Sequence, residues 1–504
     1  MRGERTPGYT NGPRRAFVGL ALFCTALTSP ALERLAGEHA APHASEPSAA
    51  TSTARPTAPS SLRASIEPSA PAEAPTVHHS ADARASASLM SAVVPDRLAP
   101  ITPNVAPVDT APTVAPTVAP LDPDWRSALS ADYVVQDAGC ATDLSAAGLA
   151  AFFAAPIGAI KGFDAPRTYP LGDGRTLWAV QDAFTDETGR ATSFADMGYA
   201  NNMVLVQDGN CFTSLRRGTP TEAVSFETGT GDISFDHYFW PAGGAVSNGV
   251  LQMFWMEMRR DHEQLGPLDG IALHPVATWL ATYDVATMQR LLFVPAPDPG
   301  VAPVYGFAVV ESGMWAYLFG NSFVQNLAQE GGFEQGPHSA TRTYLARVPR
   351  GHLDALPSYW DGAGWTRHAS RAAPISSRNW TENLMQPVEI GTQWVSATKT
   401  DGFLGTTVTV DVADEPWGPW TTVATLPAVP RGDPTDVVTY QASVLPTPGP
   451  DGGIIVSLSQ IPMELGAEDA PPRYRPNFVA VELGTPPTPA VGAQRRSFDT
   501  VPAP

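Results

Sequence analysis

The feature that most constrains this sequence is a short plan that recurs five times. Each unit has a strand-forming run, a turn that contains or adjoins glycine, and a second, stronger strand-forming run. The turns fall near Asp173, Asn248, Gly313, Thr392 and Gly452, so that successive turns are 75, 65, 79 and 60 residues apart. Many short strands punctuated by turn residues are typical of β-propellers and β-sandwiches. The sequence therefore predicts an all-β fold.

The strands of each unit favour one of these architectures. The second strands are predicted at 176–182, 250–258, 314–319, 393–398 and 454–460. A run suited to an outer strand follows each of them, at 202–207, 279–284, 343–348, 407–412 and 477–483. Five units of three or four strands favour a five-bladed β-propeller, in which the first strand of each unit lines a central channel. A pair of β-sandwiches is the alternative.

Composition divides the rest of the 504 residues into segments. Residues 1–39 join a basic start to an apolar run at 17–27, as a secretory signal peptide does, and Arg14-Arg15 resembles a twin-arginine export signal. Residues 40–122 are rich in Ala, Pro, Ser and Thr, which predicts a disordered linker. We expect a lead-in with a short helix at 123–161, the propeller at 162–485 and a disordered tail at 486–504. Thr142 or Asp143 is the expected start of the helix.

Charge and cysteine content restrict partners and compartment. The formal net charge of −19 argues against nucleic acid as a partner. We expect an exported monomer, extracellular or in the cell envelope, with no membrane span once the signal peptide is removed. Cys24 lies in the leader, which leaves Cys140 and Cys211. An even number of cysteines in an exported chain predicts a disulfide between these two, with two free buried thiols as the alternative.

The first unit contains a pair of acids. Gly172-Asp173-Gly174 is strong hairpin-turn chemistry, and Asp164 and Asp182 each lie nine residues from Asp173. A hairpin centred on Asp173 would set the two acids opposite each other, with Cβ atoms about 4.5–5.5 Å apart. Carboxylates at that range repel, so a site that donates and accepts protons explains them better than sheet stability does. The alternative is an Asp164 that caps a turn and an Asp182 that lies at a solvated strand end.

The first strands of the other units begin with polar or aromatic residues that a propeller would direct into one funnel. Asp236, His237, Tyr305, Gln386 and Gln441 are therefore predicted to bind substrate. Amides and hydroxyls hydrogen-bond sugar hydroxyls, and aromatic faces stack on sugar rings. The alternative for His237 is a hydrogen-bonded loop residue. The alternative for Tyr305 is an aromatic side chain of the core.

Several motifs in this sequence resemble a bacterial five-bladed propeller family of glycosidase type, long catalogued as a domain of unknown function. The resemblance covers about residues 162–483 and rests on Asp164, the run 170–182, the Pro416–Trp420 run Pro-Trp-Gly-Pro-Trp and the 474–478 run Tyr-Arg-Pro-Asn-Phe. Some members resemble endo-D-arabinanases that act on mycobacterial cell-wall arabinan. The resemblance implies a polysaccharide substrate and places the two family acids on Asp164 and Asp182.

The sequence also departs from that family. Gln181 and Ala183 replace the usual Gly and Thr beside Asp182, and Gln441-Ala442 stands where polar residues or His are common. These departures leave both substrate and activity open. A non-catalytic carbohydrate-binding propeller and a structural surface propeller are the alternatives.

Glycoside cleavage needs one carboxylic acid and one carboxylate. The hairpin register favours the short distance between the two carboxyl groups that gives retention of configuration. Sheet twist or a bulge would increase this distance. Because Asp164 is nearer the channel axis, we expect it to be the nucleophile or base. No metal-binding, phosphate-loop or dinucleotide motif is present, so no cofactor is expected, and an ion in the central channel stays open.

Overall fold

The computed structural model describes residues 125–483, apart from gaps at 192, 220–221, 232, 235, 261–272, 301–302, 322–340, 379–385, 401–405, 430–436, 451 and 463–472. The predicted signal peptide, linker and C-terminal tail lie outside the described residues. Within them, no helix is long and apolar enough to cross a membrane.

The described strands form five antiparallel sheets, which are the blades of a propeller. Blade 1 has the order β1-β5-β4-β3-β2, with β6 paired to β5. Its strands are β1 Val134–Cys140, β2 Ile160–Pro170, β3 Arg175–Thr185, β4 Gly198–Asp208, β5 Cys211–Thr219 and β6 Glu222–Val224. The lead-in segment thus supplies the outermost strand of blade 1.

The remaining blades follow one another in chain order. Blade 2 contains β7 His237–Ser247, β8 Val250–Arg260, β9 Leu273–Asp284 and β10 Arg290–Pro295. Blade 3 contains β11 Val304–Ser312, β12 Trp315–Asn321, β13 Thr341–Pro349, β14 Ser358–Trp360, β15 Trp365–Thr366 and β16 Pro374–Arg378. Blade 4 contains β17 Val388–Ile390, β18 Gln393–Thr400, β19 Thr407–Ala413 and β20 Thr421–Pro427, and blade 5 contains β21 Val437–Val444, β22 Ile454–Pro462 and β23 Asn477–Val481. The predicted five-bladed propeller is confirmed.

Each middle strand is apolar on both faces because it packs against two neighbouring blades. In β3, Trp178 and Val180 belong to a buried cluster shared with Phe478 of blade 5. Leu177 and Ala179 point the other way, into a cluster with blade 2. Side chains alternate between the faces of a strand, so a near-continuous apolar run is what a strand buried on both sides requires. This is why the sequence shows the second strand of each unit so clearly.

The five innermost strands surround a central channel. A cavity of about 390 Å³ in this channel is lined by residues 166–170, 242–246, 308–311, 386–389 and 443–444. The inner strands approach one another closely at Gly243, where a Cβ atom would lie 2.5 Å from the backbone nitrogen of Val309. A larger residue at this position would push blades 2 and 3 apart.

Four of the innermost strands have an irregularity in their pairing at a similar height. Their registers shift between Asp164 and Arg167, between Pro241 and Gly244, between Val304 and Ala308, and between Tyr440 and Ser443. Such bulges re-aim side chains and are common next to functional sites. Here they divide each of these strands into an upper part, which contains Asp164 and Tyr440, and a lower part that lines the cavity.

The ring closes between blade 5 and blade 1. The backbone N–H of Phe163 donates to Tyr474 O at 2.9 Å, and the N–H of Ala165 donates to Ser459 Oγ at 2.7 Å. The buried Arg475 guanidinium donates through Nε to Lys161 O at 2.8 Å and through Nη1 to Phe153 O at 3.4 Å. These bonds join the last sheet to the first strand of the ring and to the helix that precedes it.

The helix and the disulfide lie at the same junction. Helix α1 spans Ala146–Phe153, and its N-cap is Ser145, whose Oγ accepts from Gly148 N. The predicted start at Thr142 or Asp143 was three or two residues early, because the Asp143 side chain instead accepts from Ser145 N just before the helix. Phe153 packs against Phe163, Trp178 and Phe478. The predicted Cys140–Cys211 disulfide is confirmed and links β1 to β5.

Arg475→Met should destabilise the ring. The substitution keeps an apolar side chain but leaves the carbonyl oxygens of Lys161 and Phe153 without their buried donors. We expect a loss of about 2–3 kcal/mol in the free energy of unfolding, measured by urea denaturation. The matched control is Arg371→Met, because Arg371 is 63% exposed and pairs with Asp361 at the surface; its loss should stay below about 1 kcal/mol. Equal losses in the two variants would contradict the assigned role of Arg475.

Candidate active site

The two predicted acids lie near each other but are not directly paired. The hairpin holds its expected register from Pro170↔Thr176 to Arg167↔Ala179, and then Asp164 pairs with Gln181. The expectation that Asp164 faces Asp182 across the hairpin is therefore wrong by one residue. The physical reason is a bulge on β2 between Asp164 and Arg167, and a second one on β3 that restores the register at Gly162↔Phe184. The two acids are not directly opposed, so the pairing gives no support to retention of configuration.

Backbone strain is concentrated around these acids. Ala165, Asp182 and Gln441 have φ angles of 45°, 42° and 48°, in the left-handed region that non-glycine residues rarely adopt. Each such residue costs on the order of 1–3 kcal/mol, and strained residues tend to cluster at functional sites. Two belong to blade 1 and one to blade 5, so the strain lies where the ring closes.

Asp164 lies in an almost fully enclosed environment. Its side chain is on the upper part of β2 and the residue is only 5% exposed. The Tyr440 hydroxyl donates to Oδ2 at 2.5 Å, whereas Oδ1 has no hydrogen-bond partner among the described residues. One carboxyl oxygen is therefore held by the protein, and the other remains for a proton or a ligand.

Asp182 lies in a more polar environment. The Tyr199 hydroxyl donates to its Oδ1 at 2.6 Å, and the Trp240 indole N–H donates to the same oxygen at 3.1 Å. Donors aimed at a carboxylate stabilise its negative charge. Trp240 belongs to blade 2, so this acid is held by two adjacent blades.

Burial changes the protonation of Asp164. Burial, and then the negative charge of Asp182, raise the pKa of Asp164 well above its usual value, and hydrogen bonds from the Tyr440 and Tyr474 hydroxyls offset this only in part. Asp164 is thus suited to carry a proton at neutral pH. A carboxyl group kept neutral beside a second carboxyl group is a usual arrangement of a catalytic acid.

Blade 5 completes the site. Besides Tyr440 it supplies Gln441, whose Nε2 donates to Gln181 Oε1 at 3.3 Å, beside the Asp164 pairing. Tyr474 is fully buried, and its backbone carbonyl accepts from Phe163 N. Of the predicted substrate-binding residues, Gln441 is the one that contacts the immediate surroundings of the acids.

The other predicted binding residues lie elsewhere. Tyr305 is 4% exposed and its ring packs against Tyr359 in the core between blades 2 and 3, so it offers a sugar little surface. Gln386 is buried in the channel, where its Oε1 accepts from Arg167 Nη1 at 3.1 Å. His237 pairs with Glu257 of the neighbouring strand at 2.7 Å.

Asp236 precedes β7, and its backbone N–H donates to Ser234 Oγ at 3.1 Å. Among the described residues, no three or more His, Cys, Asp or Glu side chains converge as a metal site.

Sequence reasoning missed most of the residues that surround the acids. In the sequence, Tyr199 and Trp240 have the pattern of ordinary aromatic residues in strands, and nothing in their spacing links them to Asp182. A signal for Tyr440 was present, because it lies beside Gln441 on a predicted inner strand. Tyr474 lies in a run noted only for its family resemblance, and Arg167 was not singled out.

The comparisons with known proteins concern the whole propeller. The sequence profile of a family described as "Domain of unknown function (DUF5005)" matches residues 151–483. No curated protein matches the chain significantly. A solved structure from Bacteroides ovatus ATCC 8483, provisionally described as a hydrolase, is 17% identical, with 72% of this chain and 96% of that chain covered and a TM-score of 0.51. At this identity the likeness is one of fold alone.

Two further similar structures have lower TM-scores. A GH43_1 enzyme from Xanthomonas citri is 14% identical, with 63% of this chain and 87% of that chain covered and a TM-score of 0.34. A xylan β-1,4-xylosidase from Bacillus halodurans C-125 is 11% identical, with 64% and 54% covered and a TM-score of 0.37.

Asp164→Asn should change how stability depends on pH. The raised pKa of Asp164 means that the folded parent keeps a proton that the unfolded chain releases above about pH 4. The parent therefore loses stability as pH rises from there, by up to about 1.4 kcal/mol per pH unit, and the variant does not. We expect the variant to match the parent near pH 4 and to exceed it increasingly towards pH 8, measured by urea denaturation across this range.

Asp361→Asn is a control in which the effect on the pH dependence of stability has the opposite sign. The N–H groups of Ala363 and Gly364 lower the pKa of Asp361, so its ionised form contributes stability above the unfolded pKa. This variant should be less stable than the parent at neutral pH, and the difference should vanish as pH falls. Parallel curves for the parent and Asp164→Asn would rule out a raised pKa at Asp164.

Proposed function

The chain belongs to the DUF5005 family, and we propose that it is an exported glycoside hydrolase that cuts a furanoside-containing polysaccharide of the arabinan type. Asp164 and Asp182 would carry the reaction. The observation that carries the proposal is the unequal pair of acids: Asp164 is enclosed and its pKa is raised, whereas Asp182 accepts hydrogen bonds from two donors. Glycoside cleavage requires one carboxyl group of each kind.

Asp164 suits the role of general acid. Its Oδ1, which lacks a partner among the described residues, would donate a proton to the oxygen of the departing sugar. Oδ2 is fixed by the Tyr440 hydroxyl, so the carboxyl plane is oriented before the substrate arrives. This role is opposite to the one expected from the position of Asp164 near the channel axis, because burial disfavours the charged form that a nucleophile or base needs.

Asp182 then suits the role of nucleophile or base. It would either attack the anomeric carbon or take a proton from the attacking water, depending on the separation of the carboxyl groups. The hydrogen bonds from Tyr199 and Trp240 keep Oδ1 in a fixed direction, which orients the carboxylate for this step. The strained backbone at Asp182 re-aims the side chain out of the regular alternation of β3.

Two parts of the proposal, export and the arabinan-type substrate, rest on the sequence. The basic and apolar leader supports export, and the resemblance of the 170–182 run to propeller glycosidases, some like endo-D-arabinanases, supports an arabinan-type substrate. Gln441, half-buried beside the acids, supplies an amide of the kind that binds sugar hydroxyls.

A glycan-binding module without catalysis is the second candidate. The observation that favours it is the low exposure of both acids, 5% for Asp164 and 8% for Asp182. The departures at Gln181 and Ala183 from the family pattern point the same way. In such a module the acids would hold sugar hydroxyls and take no part in bond cleavage.

Incubation of the full chain with arabinan, arabinogalactan and xylan tests the proposal. We expect sugar release from arabinan, and we expect Asp164→Asn and Asp182→Asn each to lower kcat/KM by about 10²–10⁴-fold, because each removes one half of the acid–carboxylate pair. Released sugars are measured by chromatography. Asp361→Asn, at the surface of blade 3, is the control that should keep full activity.

The outcomes separate the two candidates. Arabinan that binds but is not cleaved, with binding unchanged in Asp164→Asn, would establish the glycan-binding module and refute catalysis. Absence of both binding and release across all three polysaccharides would overturn both.

Tyr440→Phe should shift the pH profile of the reaction. The Tyr440 hydroxyl lowers the pKa of Asp164, so its removal raises that pKa further and keeps the acid protonated to higher pH. We expect the alkaline limb of kcat to move up by about one pH unit, measured on the polysaccharide that the parent cleaves. Tyr359→Phe, which removes a hydroxyl bonded to Asp298 in blade 3, should leave the limb in place. A downward shift in Tyr440→Phe would exclude Asp164 as the acid.

A further inference from the structure

Arg167 is a buried cation that the proposed chemistry does not use. It follows Asp164 by three residues on β2 but lies beyond the bulge, in the lower part of the channel, and it is 6% exposed. Burial lowers the pKa of the guanidinium to about 10, so the group remains charged at neutral pH. A charge removed from water is strongly disfavoured unless it is paired or fully hydrogen-bonded.

The described partners of this guanidinium are all neutral. Nη1 donates to Phe307 O at 2.7 Å and to Gln386 Oε1 at 3.1 Å, and the central carbon lies 4.0 Å from the centroid of the Phe307 ring. Nε and Nη2 have no hydrogen-bond partner among the described residues. Within the same residues, no carboxylate forms an ion pair with Arg167, so its charge is not neutralised by the protein.

The two unpartnered nitrogens form one edge of the guanidinium. The Nε–H and Nη2–H bonds on this edge are nearly parallel, and their spacing matches the two oxygens of a carboxylate. A spherical ion or a single hydroxyl would use this edge less well, because it can accept both bonds only in a bent geometry. The free donors therefore select a planar group with two acceptor oxygens.

The space beside Arg167 is large enough for such a ligand. Arg167 and Gln386 line the cavity of about 390 Å³, which is within the range of sites for small organic molecules. The cavity also reaches Arg350, whose side chain is 59% exposed, so this end of the channel communicates with solvent.

The charges around the cavity favour a monoanion. Glu311 and Glu389 also line it. Glu311 contacts Arg350 Nε at 3.2 Å and accepts from Gly351 N at 3.0 Å, whereas Glu389 accepts from the Ser312 hydroxyl at 3.0 Å. A doubly charged oxyanion would meet one guanidinium and the repulsion of Glu389. A carboxylate, with a single charge, is matched by Arg167 alone.

We propose that the lower part of the channel is a binding site for a carboxylate monoanion, held on the Nε–Nη2 edge of Arg167. The carboxylate belongs either to a small free acid or to a uronic acid unit of a glycan. Neither Asp164 nor Asp182 lines this cavity, so the site does not depend on the proposed hydrolysis.

Calorimetric titration of the full chain tests the site at constant ionic strength. The probes are sodium acetate, sodium glucuronate, sodium chloride and sodium sulfate, with glucose as the uncharged match for glucuronate. We expect saturable binding of acetate, glucuronate or both with one site per chain, and binding at least ten times weaker for chloride, sulfate and glucose. Binding of acetate without glucuronate would indicate a small free acid as the ligand. Binding of glucuronate with little binding of acetate would indicate a uronic acid unit.

Two variants connect the binding to these residues. Arg167→Lys keeps the charge but loses the two-donor edge, so carboxylate affinity should fall at least ten-fold and the preference over chloride should disappear. Glu389→Gln removes a negative charge from the cavity wall without touching Arg167, so carboxylate binding should tighten about two- to five-fold. Glu482→Gln, exposed on blade 5, is the matched control and should change nothing.

The proposal is overturned by any of three results. These are equal affinity for chloride and carboxylates in the parent, an unchanged preference in a folded Arg167→Lys, and the absence of carboxylate binding in both the parent and Glu389→Gln. The Glu389 variant keeps the test decisive if Arg167→Lys does not fold. Because Asp182→Asn should bind carboxylates as the parent does, loss of hydrolysis and loss of this site remain distinguishable.

Discussion

The rest of the structure depends on the closure of the ring between its first and last blades. The closure is made by hydrogen bonds, from Phe163 to Tyr474, from Ala165 to Ser459 and from Arg475 to Lys161, over an aromatic cluster centred on Phe153. The candidate site lies at this seam, because Asp164 comes from blade 1 and Tyr440 from blade 5. Any opening of the ring would therefore separate the Asp164 carboxyl group from the hydroxyl that orients it.

The bulges on the inner strands convert one channel into two chemically different compartments. Above them the side chains of Asp164 and Asp182 meet aromatic hydroxyls and an indole, and below them Arg167 faces the cavity. A regular strand would alternate its side chains between two directions and could not aim residues three positions apart in this way. The backbone strain at Ala165, Asp182 and Gln441 is the cost of that arrangement.

Buried charge has a different consequence in each compartment. In the upper one, burial and then the neighbouring Asp182 raise the pKa of Asp164, which favours its protonated form. In the lower one, Arg167 keeps its charge at neutral pH, and the proposed anionic ligand on its Nε–Nη2 edge would offset the cost of burying it. Burial in one channel thus favours a neutral carboxyl group at one end and leaves an unneutralised cation at the other.

The sequence by itself determined the five units, their middle strands, the Cys140–Cys211 pair and the presence of two acids in the first hairpin. These follow from local patterns: apolar runs that two-sided burial demands, glycine turns and the parity of the cysteines. The tertiary structure alone decided that Asp164 pairs with Gln181, that Tyr305 is buried in the core, and that Tyr199, Trp240 and Tyr440 surround the acids. Bulges and ring closure depend on contacts between residues as many as 322 positions apart, and a local sequence pattern cannot show such contacts.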